Sequence, residues 1–265
     1  MKLIQSRDNA FFKELVKLNG SARNRNKAGQ TLLDGTHLLA AYLDAGHQPR
    51  HILLNAAALQ DGETAGLLAR LGDVPVSQLD DKLYAQLSEL KTPTGILALI
   101  DLPQASLAPA RFALLLEDIQ DPGNLGSMLR SAGAAGCDAV FLSPACADAW
   151  SPKVLRAAMG GHFCLNIHER QDLLKVAGEF SGMRLATTLQ ATHSLYECDL
   201  LGNVAFMMGN EGVGLSDALL ACATRKITIT MPGQVESLNA AAATAICLFE
   251  AVRQRLGIEP NKSAT

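Results

Sequence analysis

Between residues 112 and 230 the sequence repeats one pattern: a short, continuously apolar run, then a stretch with helical spacing. The runs are FALLLE (112–117), AVFLS (139–143), CLNI (164–167), MRLATT (183–188), VAFMM (204–208) and KITIT (226–230). A strand that does not alternate apolar and polar residues offers no face to water, so it must be covered on both sides. Helices between successive strands supply that cover. The fold class expected for residues 112–257 is therefore α/β, a parallel sheet with helices on both faces.

Two of the intervening helices carry start signals. Asp121-Pro122 and Ser151-Pro152 each place a capping residue before a proline at the first helical position. After the first, Leu125, Met128, Leu129, Ala132 and Gly136 fall on one stripe, with Arg130 about 140° away from Leu125. A final helix is expected from near Ser237, burying Leu238, Ala242, Ala245, Phe249, Val252 and Leu256. Four consecutive alanines, 240–243, suit close packing on the sheet or, equally, a dimer seam. The tail IEPNKSAT, 258–265, is expected to be disordered.

The first hundred residues read differently. TLLD, THLLAAYLDAG, HILLN, a helical 63–70 and GILALI describe a small α/β unit over 1–102, separated from the second by a linker at 103–111. Charge also divides the chain. The total is −3, yet residues 1–30 hold seven Lys and Arg against Asp8 and Glu14, so the rest is net acidic. A basic segment on an acidic body reads equally as a solvated helix face or as a surface for nucleic-acid phosphates, whose contacts would be Arg7, Lys13, Arg23, Arg25 and Lys27.

Several classes are excluded. With 48% hydrophobic and 18% charged residues, the chain has ample core material. No apolar stretch approaches the roughly 18 residues of a membrane helix, and MKLIQSRDNAFFK has no signal-peptide core. Cys137, Cys146, Cys164, Cys198, Cys222 and Cys247 include no CxxC pair, which suits reduced thiols in a cytoplasmic protein. His162, Cys164 and His168 suggest a metal, since strand alternation would align the first two, but no further ligands accompany them. No metal is expected.

Chemistry is expected in three glycine-bearing loops that follow strands: EDIQDPGNLGSMLRSAG (117–133), MMGNEGVGLS (207–216) and ITITMPGQVESLNAAAA (227–243). Open α/β sheets bind ligands at the carboxyl ends of their strands. The second loop reads G-x-x-G-x-G rather than G-x-G-x-x-G, which disfavours a nicotinamide-dependent oxidoreductase, and no loop has the Lys-Ser/Thr pair of a P-loop. A nucleoside-like ligand without phosphates fits these loops.

Those motifs resemble the SpoU-type (TrmH-like) RNA methyltransferases of the SPOUT superfamily. DPGNLGSMLRSA, GNEGVGLS and MPGQVESLNAAAATAICLFEAV match that family's three motifs in order, and SPKVLRAAMGGHF its linking segment, so the resemblance covers 112–257. The N-terminal part resembles the family's substrate-recognition domain more loosely. Departures are Thr230 after Ile229 where proline is usual, Ala240–Ala243 in place of a more β-branched run, and Asp34 where glutamate is usual.

The resemblance implies S-adenosylmethionine-dependent methylation of a ribose 2′-hydroxyl in structured RNA, with ribosomal RNA ahead of transfer RNA, together with a deep trefoil knot and a homodimer. Carried over, Gly209, Ile229, Met231, Leu238 and Asn239 would line the cofactor site, and Asn124, Arg130, Glu211, Ser237 and Asn239 the reaction centre. A guanidinium is effectively always protonated, so Arg130 suits stabilisation of a developing alkoxide better than proton abstraction. Plainer roles exist: Asn124 and Ser237 as helix caps, Glu211 at a helix N-terminus, Asn239 as an organiser of loops. A transfer-RNA enzyme and a non-catalytic RNA-binding protein retaining the knot are the alternatives.

Overall fold

The computed structural model describes residues 1–258. Apart from Ile258, the tail expected to be disordered lies outside the described residues. The chain divides into two compact units, Met1–Gln104 with Asp148–Phe163, and Ala105–Ala147 with Cys164 onward.

The first unit contains β1 (Lys2–Ile4), α1 (Ala10–Gly20), α2 (Ala22–Ala28), β2 (Gln30–Asp34), α3 (Thr36–Asp44), β3 (His51–Leu54), α4 (Gly62–Leu68), β4 (Val76–Leu79), α5 (Asp81–Leu87) and β5 (Ile96–Asp101). Its sheet runs β1-β4-β3-β5-β2, with β5 antiparallel to both neighbours. The basic N-terminal segment is an integral part of this unit. Lys2–Ile4 pair with Ser77–Leu79, and Phe12, Leu15 and Leu18 of α1 enter the core beside Leu32, Leu53 and Leu97.

The second unit begins with β6 (Phe112–Leu116), α6 (Pro122–Ala135) and β7 (Ala139–Leu142). Next comes α7 (Pro152–Ala158), whose residues belong to the first unit. The second then resumes with β8 (Asn166–His168), α8 (Leu173–Glu179), β9 (Met183–Thr187), β10 (His193–Ser194), β11 (Val204–Met208), α9 (Asp217–Cys222), β12 (Arg225–Thr228) and α10 (Ala240–Arg255). All seven strands are parallel, in the order β10-β12-β9-β11-β6-β7-β8. Helices α8 and α9 cover the face bearing Ala113, Leu115, Ala205 and Met207. Leu114 and Phe206, which alternate to the other face, are fully buried as well. The α/β sheet covered on both sides is thus the architecture observed.

Four local expectations need correction. The strand expected at 164–167 starts at Asn166, because Gly161–Cys164 form a 3-10 turn; His162 falls in the first unit and Cys164 in the second, so they share no strand face. Gly136 leaves the α6 stripe and ends the helix at φ 75°, a conformation suited to glycine. The last helix is capped by Asn239, not Ser237. Its buried face holds Ala241, Thr244, Cys247, Leu248 and Ala251, while Phe249 is 46% and Leu256 68% exposed. The helix is apolar nearly all round, so helical spacing offered two stripes, and the one with smaller side chains packs against α6 and β11.

Arg25 is the fourth correction. It is buried, donating from Nη1 to Leu18 O at 2.6 Å and from Nε to Asp148 Oδ2 at 3.0 Å, with Nη2 on the same carboxylate oxygen. The guanidinium is consumed inside the first unit and cannot meet a phosphate. Arg7, Arg23 and Lys27 are exposed, and Lys13 pairs with exposed Asp8 at 2.8 Å. Because truncation would strand the mostly buried Asp148 carboxylate, Arg25→Ala is expected to cost about 3–5 kcal/mol. Urea unfolding measures this, with exposed Arg23→Ala expected to stay within about 0.5 kcal/mol of wild type.

Candidate active site

Strand order reverses between β6 and β11: the chain leaves β6 toward β7 and β8, then returns on the far side of β11. At such a switch point the loops beyond the carboxyl ends diverge and leave a crevice. Here those loops are 117–121 after β6 and 209–216 after β11. Glu117 ties them together, its N–H donating to Met208 O at 2.9 Å and its carboxylate accepting the Ser216 N–H at 2.7 Å.

Backbone constraints shape the loop after β11. A Cβ on Gly209 would overlap the Gly214–Leu215 backbone, so only glycine lets the chain recross itself there. Asn210 closes the turn. Its Oδ1 accepts the N–H groups of Gly212 (2.9 Å) and Val213 (3.2 Å), and its carbonyl accepts that of Gly214 (2.9 Å). Its Nδ2 donates to Asp118 O at 2.9 Å. Asp118 sits at φ 55°, held there by Ser143, whose Oγ accepts the Asp118 N–H at 2.9 Å and donates to its carboxylate at 2.5 Å. Beside them, burial pushes the Cys146 thiol above its ordinary pKa, leaving it a neutral donor to Leu116 O.

This scaffold presents Glu211 to Asn124. Asp121 Oδ1 caps α6 by accepting the Asn124 N–H at 2.7 Å, so Asn124 stands in the first turn. Its Nδ2 donates to Glu211 Oε1 and its Oδ1 accepts from Asn239 Nδ2, both at 2.9 Å. Asn239 in turn caps α10, its Oδ1 accepting the N–H groups of Ala241 (2.9 Å) and Ala242 (3.2 Å). Three loops far apart in sequence therefore meet through one amide side chain.

The other expected site residues are placed less closely. Ile229, Met231 and Leu238 are half-buried along the segment between β12 and α10, and Ser237 is exposed with no side-chain hydrogen bond among the described residues. Arg130 is exposed and unpaired among the described residues. Six positions along α6 place it about 9 Å from Asn124 along the axis and about 120° round, so it does not join the cluster on its own chain. Among the described residues no group of three or more His, Cys, Asp or Glu is placed to hold a metal ion. Sequence reasoning missed Glu117, Asp118, Ser143 and Asn210. Only Asn210 carried a local signal, an asparagine between glycines in a tight turn.

The arrangement is chemically specific. Neither the loop at 209–216 nor the segment at 228–239 contains Lys or Arg, while Glu211 and Glu236 supply negative charge. A nucleoside with a positively charged substituent and no phosphate suits this donor set. The cap assignment makes a direct prediction: Asn239→Ala should cost about 1 kcal/mol in denaturant unfolding, and Ser237→Ala close to nothing.

Comparison with known proteins agrees with these features. Residues 111–249 match the SpoU rRNA Methylase family, and residues 9–98 the MRM3-like substrate binding domain. An uncharacterised tRNA/rRNA methyltransferase of Synechocystis is 35% identical over 95% of this chain and 94% of its own. The 23S rRNA (guanosine(2553)-2′-O)-methyltransferase RlmP of Bacillus subtilis is 34% identical over 94% of this chain and 98% of its own. The solved structure of the SpoU methyltransferase AviRb from Streptomyces viridochromogenes, in complex with AdoMet, superposes with a TM-score of 0.82 at 27% identity, covering 94% of this chain and 98% of that one. With its switch-point loops joined through Asn124 and residues 111–249, more than half of its length, matched by the family model, the chain belongs to the SpoU rRNA methylase family.

Proposed function

We propose that this protein methylates a ribose 2′-hydroxyl of ribosomal RNA, using S-adenosylmethionine. The observation that carries the reading is the Glu211–Asn124–Asn239 hydrogen-bond chain, which gathers three loops of a SpoU-family sheet at its switch point. Ribosomal rather than transfer RNA is favoured by RlmP, whose name specifies a 23S rRNA guanosine 2′-hydroxyl.

S-adenosylmethionine supplies an electrophilic methyl on a sulfonium, whose departure as a thioether needs no acid. Gly209, Ile229, Met231, Leu238 and Asn239 would hold it, the carbonyl-rich, cation-free loops tolerating its positive charge. Asn124 fixes Glu211 through Oε1, leaving Oε2 without a protein partner among the described residues to accept the hydroxyl proton. Arg130 does not reach this cluster on its own chain; supplied by the second copy of a homodimer, it would stabilise the alkoxide as it develops and anchor the flanking phosphate. Ser237 stands in the same loop as a contact for the ribose. Arg7, Lys13, Arg23 and Lys27 of the first unit supply phosphate contacts, and Arg25 the packing beneath α2.

The same reading includes a homodimer, a deep trefoil knot and a cytoplasmic location. Support for the dimer comes from α10: Ala242, Ala245, Phe249, Val252 and Leu256 recur at three-four spacing on its outer side, the apolar stripe expected of a helix seam. Support for the knot comes from β10 and β9, which flank β12 although only five residues, 188–192, join them, so that connection crosses β12. All six cysteines are free thiols, as suits a reducing compartment. Among the described residues no helix is long and apolar enough to cross a membrane.

Calorimetry with S-adenosylmethionine, run beside transfer of labelled methyl to large-subunit ribosomal RNA and to total transfer RNA, tests the function. Label recovered as 2′-O-methylnucleotide from ribosomal RNA is the expected result; RNA binding without transfer would leave only an RNA-binding protein. Arg130→Ala and Arg130→Lys should each lower kcat by about 100-fold or more with cofactor affinity retained. A near-native rate for the lysine variant would remove the bidentate role. Phe249→Glu should convert the dimer to monomer in sedimentation velocity without lowering the unfolding midpoint, since that ring is half exposed in one chain.

A further inference from the structure

The outer edge of the second sheet carries a groove that the proposed reaction does not use. Strand β10 is only two residues long and pairs His193 with Ile227 and Ser194 with Thr228. The preceding part of β12, Arg225 and Lys226, therefore has no strand on its outer side. The chain at 190–193 passes over this stretch as a strap, and with residues 223–226 encloses a groove of about 520 Å³.

Its chemistry is one-sided. Arg225, Lys226 and His193 line it, and no Asp or Glu does. Neither Arg225 nor Lys226 makes a side-chain hydrogen bond or ion pair among the described residues, and alternation along the strand sends them to opposite sides of the open edge. The carboxylate nearest in sequence, Glu197, is occupied by the Ser194 N–H at 3.1 Å. Up to residue 258 this unit has nine Lys and Arg against thirteen Asp and Glu, so an acid-free groove with two unneutralised cations stands out from its surroundings. No Phe, Tyr or Trp lines it, so the large rings on which single-stranded bases stack are missing.

Cations without Phe, Tyr, Trp or carboxylates beside them suit contacts to a phosphodiester backbone. We propose that this groove is a second RNA-backbone site, holding phosphates of the same strand whose ribose enters the active site. Arg225 is four residue steps, about 13 Å along β12, from Ile229 of the cofactor-binding segment, a span of a few nucleotides. The inference rests on the ribosomal-RNA reading above.

The test compares wild type with the Arg225→Glu/Lys226→Glu double variant, using a large-subunit ribosomal RNA transcript in fluorescence anisotropy across about 50 to 200 mM KCl. The double variant is expected to bind about tenfold more weakly, with a log–log salt slope shallower by about one to two. Its KM for RNA should rise in proportion, while kcat at saturating RNA and affinity for S-adenosylmethionine stay within about twofold. Unchanged slope and KM overturn the groove assignment. If the double variant loses cofactor binding, His193→Glu on the exposed strap decides by the same measurements. A wild-type chain that neither binds nor methylates the transcript overturns the ribosomal-RNA reading and the groove with it; an active wild type with unaltered variants overturns the groove alone.

Discussion

Seven parallel strands cannot be joined by hairpins, because each must be entered from the same end as the last. Every connection in the second unit therefore delivers a loop to the carboxyl edge of the sheet, whatever its sequence. That topological requirement brings residues 124, 211 and 239 within reach of one another before any side chain is considered. Hydrogen bonding then sets the detail. Asn124 can donate and accept at once, so it alone can hold a carboxylate on one side and an amide on the other.

Much of this was legible in the residues. Continuous apolar runs announced the covered parallel sheet, and the proline-capped starts of α6 and α7 fell where expected. The glycine loops pointed to the switch point because glycine there answers a steric need, as Gly209 shows. What stayed hidden depended on contacts made at a distance. Arg25 looks like any basic residue on a helix until Asp148, 123 positions later, removes it from the surface. On α10, two apolar stripes were available, and only packing against α6 decided which turned inward. Ser237 and Asn239 are both good caps; the helix does not begin until residue 240, which no local rule signalled. Asp118 in a left-handed conformation, held by Ser143, belongs to the same class of fact.

Capping and chemistry share atoms in this site. Asn239 terminates a helix through Oδ1 and reaches the cluster through Nδ2, and Asn124 is itself held by the cap of α6. The side chains that would meet the ribose are thus positioned by bonds that the helices need anyway. Little conformational freedom remains to be lost when substrate arrives, which is the condition for alignment to contribute to rate. Arg130 is the exception, unpaired and on a different side of α6.

The separation of Arg25 from Asp148 also bears on the order in which the protein is made. The first compact unit includes residues 148–163, so a nascent chain of 104 residues holds its β-sheet sequence but lacks the carboxylate that Arg25 needs. At about 5–20 residues per second, roughly 3–12 seconds of synthesis separate residue 104 from residue 163. Until residue 148 is made Arg25 lacks its carboxylate partner, although β6, α6 and β7 of the second unit have already been synthesised. The N-terminal unit is therefore first in sequence but not first to be completed. Its closure waits for a segment encoded in the middle of the chain, and the two units mature together rather than in turn.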